Sequence, residues 1–142
     1  MKRAIIHTLV PIVIATLLNA FIYFKGWNDT ARKKDKVSEL LPPGYAIAII
    51  WVVILGLLGY THSITYPSFA SLIIVVAILY CLAYPFLTNG LQDDNPKILN
   101  FISLVIAVIV FISVGVHSRN KSVLLTLPFV LWTSYVNIVT LS

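Results

Sequence analysis

The sequence predicts an all-α integral membrane bundle of five transmembrane helices, and three observations carry that expectation. Hydrophobic residues make up 59% of the chain and charged residues 11%, against roughly 45–50% and about 25% in an ordinary globular domain. A soluble domain of 142 residues must still wet most of its surface, so the excess assigns lipid as the surroundings of most side chains. Apolar runs of span length also recur. A hydrocarbon core about 30 Å thick needs roughly 20 apolar residues per helix, and such runs fall at residues 4–24, 44–64, 67–87, 98–116 and 123–141. Finally, the basic residues lie between or beside these runs. They do not form one amphipathic face, as a nucleic-acid surface would require, and flanking bases are what membrane topology and anionic headgroups select. The bilayer is therefore the expected partner, with no nucleic acid, and residues 1–142 form a single transmembrane domain.

The first run opens with Lys2 and Arg3, as a signal peptide would. A signal h-region is only 7–15 residues long and leads to a small-residue cleavage site. This run is longer and ends in Phe21-Ile22-Tyr23-Phe24, an interfacial aromatic end, and reads as a retained span. The polar stretch at 25–43 closes with Pro42-Pro43. Proline has no N–H and a fixed φ, so it stops a helix arriving from upstream and can open the next one. A very short turn around Thr61-His62-Ser63 and a third run opening at Pro67 make the second and third spans an antiparallel hairpin. Asn89-Gly90 through Asp93-Asp94-Asn95-Pro96 is strong turn chemistry. There Asp93-Asp94 reads as a solvated pair beside the positive end of the fourth helix dipole. Residues 117–122 turn the chain into the fifth span. No internal repeat is evident, so an inverted-repeat transporter gains no support.

Orientation follows from the bases. Lys25, Arg32, Lys33, Lys34, Lys36 and Lys97 outnumber Lys2, Arg3, Arg119 and Lys121 on the opposite side, which places the first loop and the C-terminus in the cytoplasm. The sequons Asn28-Asp29-Thr30 and Asn120-Lys121-Ser122 fall on opposite sides and read equally well as polar turns.

Chemically, the informative feature is an absence. No Asp, Glu, Lys or Arg lies inside any span, whereas proton relays, voltage sensors and ion-coupled carriers need ionisable groups at membrane depth. The polar groups in the spans are Asn19, Ser103, Ser113, Thr126, Thr133, Ser134 and Asn137. They read first as interhelical hydrogen-bonding groups, with Asn19 or Asn137 as candidates to orient a ligand. His7, His62 and His117 lie in different segments near one membrane surface and do not show metal-ligand spacing. Cys81 is the lone cysteine and reads as packing. No Gly-rich phosphate loop precedes a helix. No catalytic residue, metal site or required cofactor is expected.

Tyr45, Trp51, Tyr60, Tyr80, Tyr84, Phe86, Phe129, Trp132 and Tyr135 populate the second, third and fifth spans. Those near span ends fit an interfacial belt. Trp51 and Trp132 lie deeper, where an indole N–H needs a partner. They read either as packing or as the walls of a cavity for a flat apolar ligand. Gly56 and Gly59 would let a helix or a ligand approach closely.

Pro42-Pro43-Gly44-Tyr45, followed by Trp51 and Gly59, resembles the second span of the tryptophan-rich sensory protein/translocator protein family (TspO/MBR). In that family a Pro-Pro-x-Trp stretch leads to a further Trp and a Gly. The run Leu124-Leu125-Thr126-Leu127-Pro128-Phe129-Val130-Leu131-Trp132 is similar to that family's fifth span, and Pro11 and Pro85 have counterparts. The five-span plan with its longest loop first also matches. There are departures: the family's first-loop Trp-Tyr pair falls on Ala31-Arg32, its third-span Asn and Trp have no equivalent near Tyr80 and Tyr84, and its fifth-span Asn falls on Thr140, with Asn137 close by. The resemblance implies a bundle, often a homodimer, that binds or transports flat hydrophobic molecules such as porphyrins, haem or sterols. Pro42, Pro43, Tyr45, Trp51, Phe129 and Trp132 would form its ligand wall, with Asn137 joining them as the intramembrane amide that could orient a ligand. The alternative from the residues themselves is a structural or assembly subunit with no small-molecule ligand and a filled interior.

Overall fold

The computed structural model describes residues 2–26, 42, 44–87, 97–117 and 121–141. These form helices α1 (Lys2–Phe24), α2 (Gly44–Thr65), α3 (Phe69–Pro85), α4 (Lys97–His117) and α5 (Leu127–Leu141), with a 3₁₀ segment over Lys121–Thr126. No strand occurs among the described residues. The basic first loop, Pro43, the turn carrying Asp93-Asp94, and the asparagines of both sequons lie outside the described residues.

Helices α1, α2 and α4, and the stretch Ser122–Val139, are long and apolar enough to cross a membrane. Helix α3 has 17 residues, about 26 Å at the usual rise per residue, which is the short end of what spans a bilayer. Phe86 and Leu87 continue it as a π turn.

Two elements begin later than the apolar runs suggest. Pro67 sits in the turn, and α3 starts at Phe69 because Ser68 is its N-cap, with the Ser68 side chain accepting from the Ser71 N–H at 3.3 Å. The fifth segment is 3₁₀ through Thr126 and α-helical only from Leu127. Pro128 accounts for this. It cannot donate an N–H, and its ring would meet the carbonyl one turn back, so the preceding turn tightens.

Packing follows chain order. Helix α1 lies mainly on α2, and α2–α3, α3–α4 and α4–α5 pack as successive neighbours. The 3₁₀ segment rests on both α2 and α4. Ile54, Leu55 and Leu58 of α2, Ile74 and Ala77 of α3, Ala107, Val110 and Val114 of α4, and Phe129 of α5 form the buried centre. The buried face of α4, Asn100, Ser103, Ala107, Val110 and Val114, advances by three or four residues at each step, as one face of a helix must. Only Pro11 and Ala15 of α1 are buried. Its aliphatic residues Ile5, Leu9, Val13 and Leu17 are turned outward, so α1 is a peripheral helix with a lipid-facing surface.

In lipid, apolar contact with a neighbour gains little over contact with acyl chains. Close packing and internal hydrogen bonds decide the association. Gly59 supplies the closest approach, because a Cβ there would collide with the His7 carbonyl oxygen and come within 2.9 Å of Pro11 Cγ. Pro11, lacking an N–H, cannot satisfy that carbonyl in the helical pattern. A helix therefore occupies the space that Gly59 leaves. Hydroxyls in the spans bond to their own helices: Thr61 to the Leu57 carbonyl at 2.8 Å and Thr133 to the Phe129 carbonyl at 2.9 Å. These two hydroxyl donors are thereby paired away from lipid.

Candidate functional site

Antiparallel packing brings the start of α2, the end of α3, the start of α4 and the second half of α5 to one end of the bundle. A cavity of about 160 Å³ lies between them. Ile47, Trp51, Trp132 and Val136 supply apolar and aromatic wall, and Tyr84, Asn100, Ser103, Thr133 and Asn137 supply polar groups.

Those polar groups form a cross-braced set. Asn137 Nδ2 donates to the Asn100 carbonyl at 2.9 Å, joining α5 to α4, and to the Thr133 carbonyl at 2.7 Å. The Tyr84 hydroxyl donates to Asn100 Oδ1, joining α3 to the same residue. One turn earlier on α3, the Tyr80 hydroxyl donates to the Leu99 carbonyl at 2.6 Å, and Ser103 Oγ donates to that carbonyl at 2.9 Å. Asn100 is thus the node on which three helices meet. On the aromatic side, the Trp51 ring meets Phe129 edge-on at 6.4 Å, and Trp132 lies against Tyr135 at 5.9 Å. The indole N–H of Trp132 is buried without a hydrogen-bond partner among the described residues. Leaving such a donor unpaired carries a free-energy cost.

Of the residues expected at a ligand wall, Trp51, Trp132 and Asn137 line this cavity. Phe129 is 1% exposed and packs behind Trp51 as core. Tyr45 is 73% exposed and lies away from the cavity. Pro42 is half-buried just before α2, and Pro43 falls outside the described residues. Asn19 donates to the Ala48 carbonyl at 3.4 Å, so it ties α1 to α2 and does not face the cavity.

Sequence reading passed over Asn100, although its place on the α4 face with Ser103 and Ala107 was the available signal. It also missed the meeting of His7 and His62, whose Nδ1 atoms lie 2.8 Å apart at the other end of the bundle. His117 is exposed at the end of α4. No group of three or more His, Cys, Asp or Glu side chains suited to a metal occurs among the described residues. Cys81 is buried on α3, away from the cavity lining.

Span-length apolar helices packed around an aromatic and amide-lined cavity define a multi-pass integral membrane protein. A family model described as the TspO/MBR family matches residues 7–142, nearly the whole chain, and the chain belongs to that family. No curated protein and no solved structure matches it.

Proposed function

We propose that this membrane protein binds flat hydrophobic molecules, tetrapyrroles such as porphyrins and haem or sterols, as a carrier or sensor. The observation that carries this reading is the cavity itself, with two tryptophans facing a polar set anchored on Asn100. Its volume of about 160 Å³ is below the roughly 300–1,000 Å³ of sites that enclose a whole small molecule. A cavity of about 150 Å³ holds one benzene-sized ring. On this reading one ring of the ligand enters between Trp51 and Trp132, and the remainder extends toward the first-loop end of the bundle. The Trp132 N–H, once the indole turns toward the ligand, gains the acceptor it lacks, which favours ligands with a carbonyl, carboxylate or hydroxyl oxygen near the inserted ring. The unfilled space supports ligand binding over a purely structural role, which would favour a packed interior.

The test is a tryptophan-fluorescence titration of the detergent-purified protein with protoporphyrin IX and with a sterol, using protein-free micelles as control. Saturable quenching, weakened in Trp132→Phe, is the expected result. Quenching that stays linear for both ligands would sink the proposal.

The same reading places the first loop and C-terminus in the cytoplasm, on the balance of flanking bases. A cysteine introduced at Lys97 should then react with an impermeant maleimide only after intact cells are opened. Labelling of intact cells would reverse the orientation.

A further inference from the structure

At the end of the bundle opposite the aromatic cavity, a second concavity of about 240 Å³ opens between α1, α2 and α3. It combines features that the ligand cavity does not use. Its walls are aliphatic, with Val10 of α1 and Val75 and Leu79 of α3, and all three residues are exposed on the lipid-facing surface. Its head is polar, where His7 and His62 face each other with Nδ1 atoms 2.8 Å apart. Tyr66 packs edge-on to His7 at 6.2 Å and beside His62 at 5.7 Å. The Arg3 guanidinium sits 5.1 Å over that Tyr66 ring. Among the described residues no carboxylate is paired with Arg3, and the α3 side of the groove, Val75, Ile78 and Leu79, brings no titratable group. One cation and two proton-accepting rings thus crown an open aliphatic groove at a helix end, where headgroups lie.

We infer that this groove is a binding site for an anionic phospholipid of the leaflet on the α1 N-terminal side. The phosphate sits against Arg3, His7 and His62, and one acyl chain lies along Val10, Val75 and Leu79. Charge complementarity selects an anionic headgroup over a zwitterionic one, because Arg3 holds positive charge with no acidic partner among the described residues. The histidine pair adds a pH dependence of definite sign. One Nδ1 must donate to the other, so the pair in this geometry carries at most one positive charge. A phosphate beside it stabilises that charged form, so binding takes up a proton and affinity rises as pH falls.

The experiment is native mass spectrometry of the full-length protein, delipidated in a neutral detergent and titrated with dioleoyl phosphatidylglycerol or dioleoyl phosphatidylcholine. Phosphatidylglycerol should bind more tightly, and its affinity should rise between pH 7.5 and pH 5.5. Arg3→Gln should weaken it about fivefold, as expected for one base near the membrane surface. His62→Gln should flatten the pH dependence, and His117→Gln, away from the groove, should leave binding unchanged. The wild-type comparison of the two lipids and two pH values stands even where a variant fails to fold. Equal retention of the two lipids overturns the inference. So does an equal loss in His117→Gln and Arg3→Gln, which would mean diffuse surface charge. Displacement of the lipid by millimolar inorganic phosphate overturns it as well, because the site would then serve a soluble anion.

Discussion

Trp132 and Asn137 lie about one turn apart on α5 and behave as opposites. The Trp132 N–H has no partner among the described residues, so Trp132→Phe removes no hydrogen bond seen in the empty protein. The melting temperature should change little, while ligand affinity should fall about three- to tenfold through loss of one hydrogen bond to the ligand. Asn137 donates twice, once across to the α4 backbone. Asn137→Ala should therefore destabilise the protein by about 0.6–1.7 kcal/mol, the range for interhelical hydrogen bonds in membranes, as read by thermal or denaturant unfolding in detergent. A melt in which Trp132→Phe costs more than Asn137→Ala would contradict this assignment. The two residues differed in legibility. Deep tryptophans stand out in a sequence, whereas Asn100 becomes informative only when α4 is phased by its buried face. A histidine pair separated by most of two helices has no local signature at all.

The helices themselves were legible wherever composition alone decides them, as in α1, α2 and α4. Their ends were less so. The start of α3 depends on one serine hydroxyl reaching one backbone N–H, and the 3₁₀ segment depends on what Pro128 forbids upstream of itself. Neither leaves a mark in hydropathy. The pairing of α1 with α2 depends on Gly59, where a side chain would strike the backbone of α1 at His7, and a backbone cannot yield as a rotamer can. Gly59→Ala should cost about 1–3 kcal/mol, the usual range for overpacking. Gly56→Ala should cost less, because a Cβ there meets only the flexible end of Ile12 at 2.9 Å. Comparing the two unfolding midpoints checks this, and equal midpoints would show that the close approach at Gly59 is not a determinant of packing.

Taken together, the bundle separates two kinds of surface. Its first-loop end holds aromatic rings and amides around a small cavity, and its other end holds Arg3 and a histidine pair over an aliphatic groove. The absence of Asp, Glu, Lys and Arg from the interior of the spans, legible from sequence, agrees with the apolar ligand proposed. The position of the cavity was not legible, because it arises where parts of four helices, distant along the chain in α2 and α5, are brought together by packing. Filling that cavity while leaving the bundle intact separates ligand binding there from partition into detergent. Ile47 lines it and, being aliphatic, forms no side-chain hydrogen bond, so Ile47→Phe adds volume without breaking an interhelical bond. Protoporphyrin IX should quench wild-type tryptophan fluorescence saturably, and the variant, with its melting temperature retained, should bind about tenfold more weakly, the equivalent of roughly 1.4 kcal/mol. Equal saturable binding to both proteins would place the ligand elsewhere and contradict the proposed site.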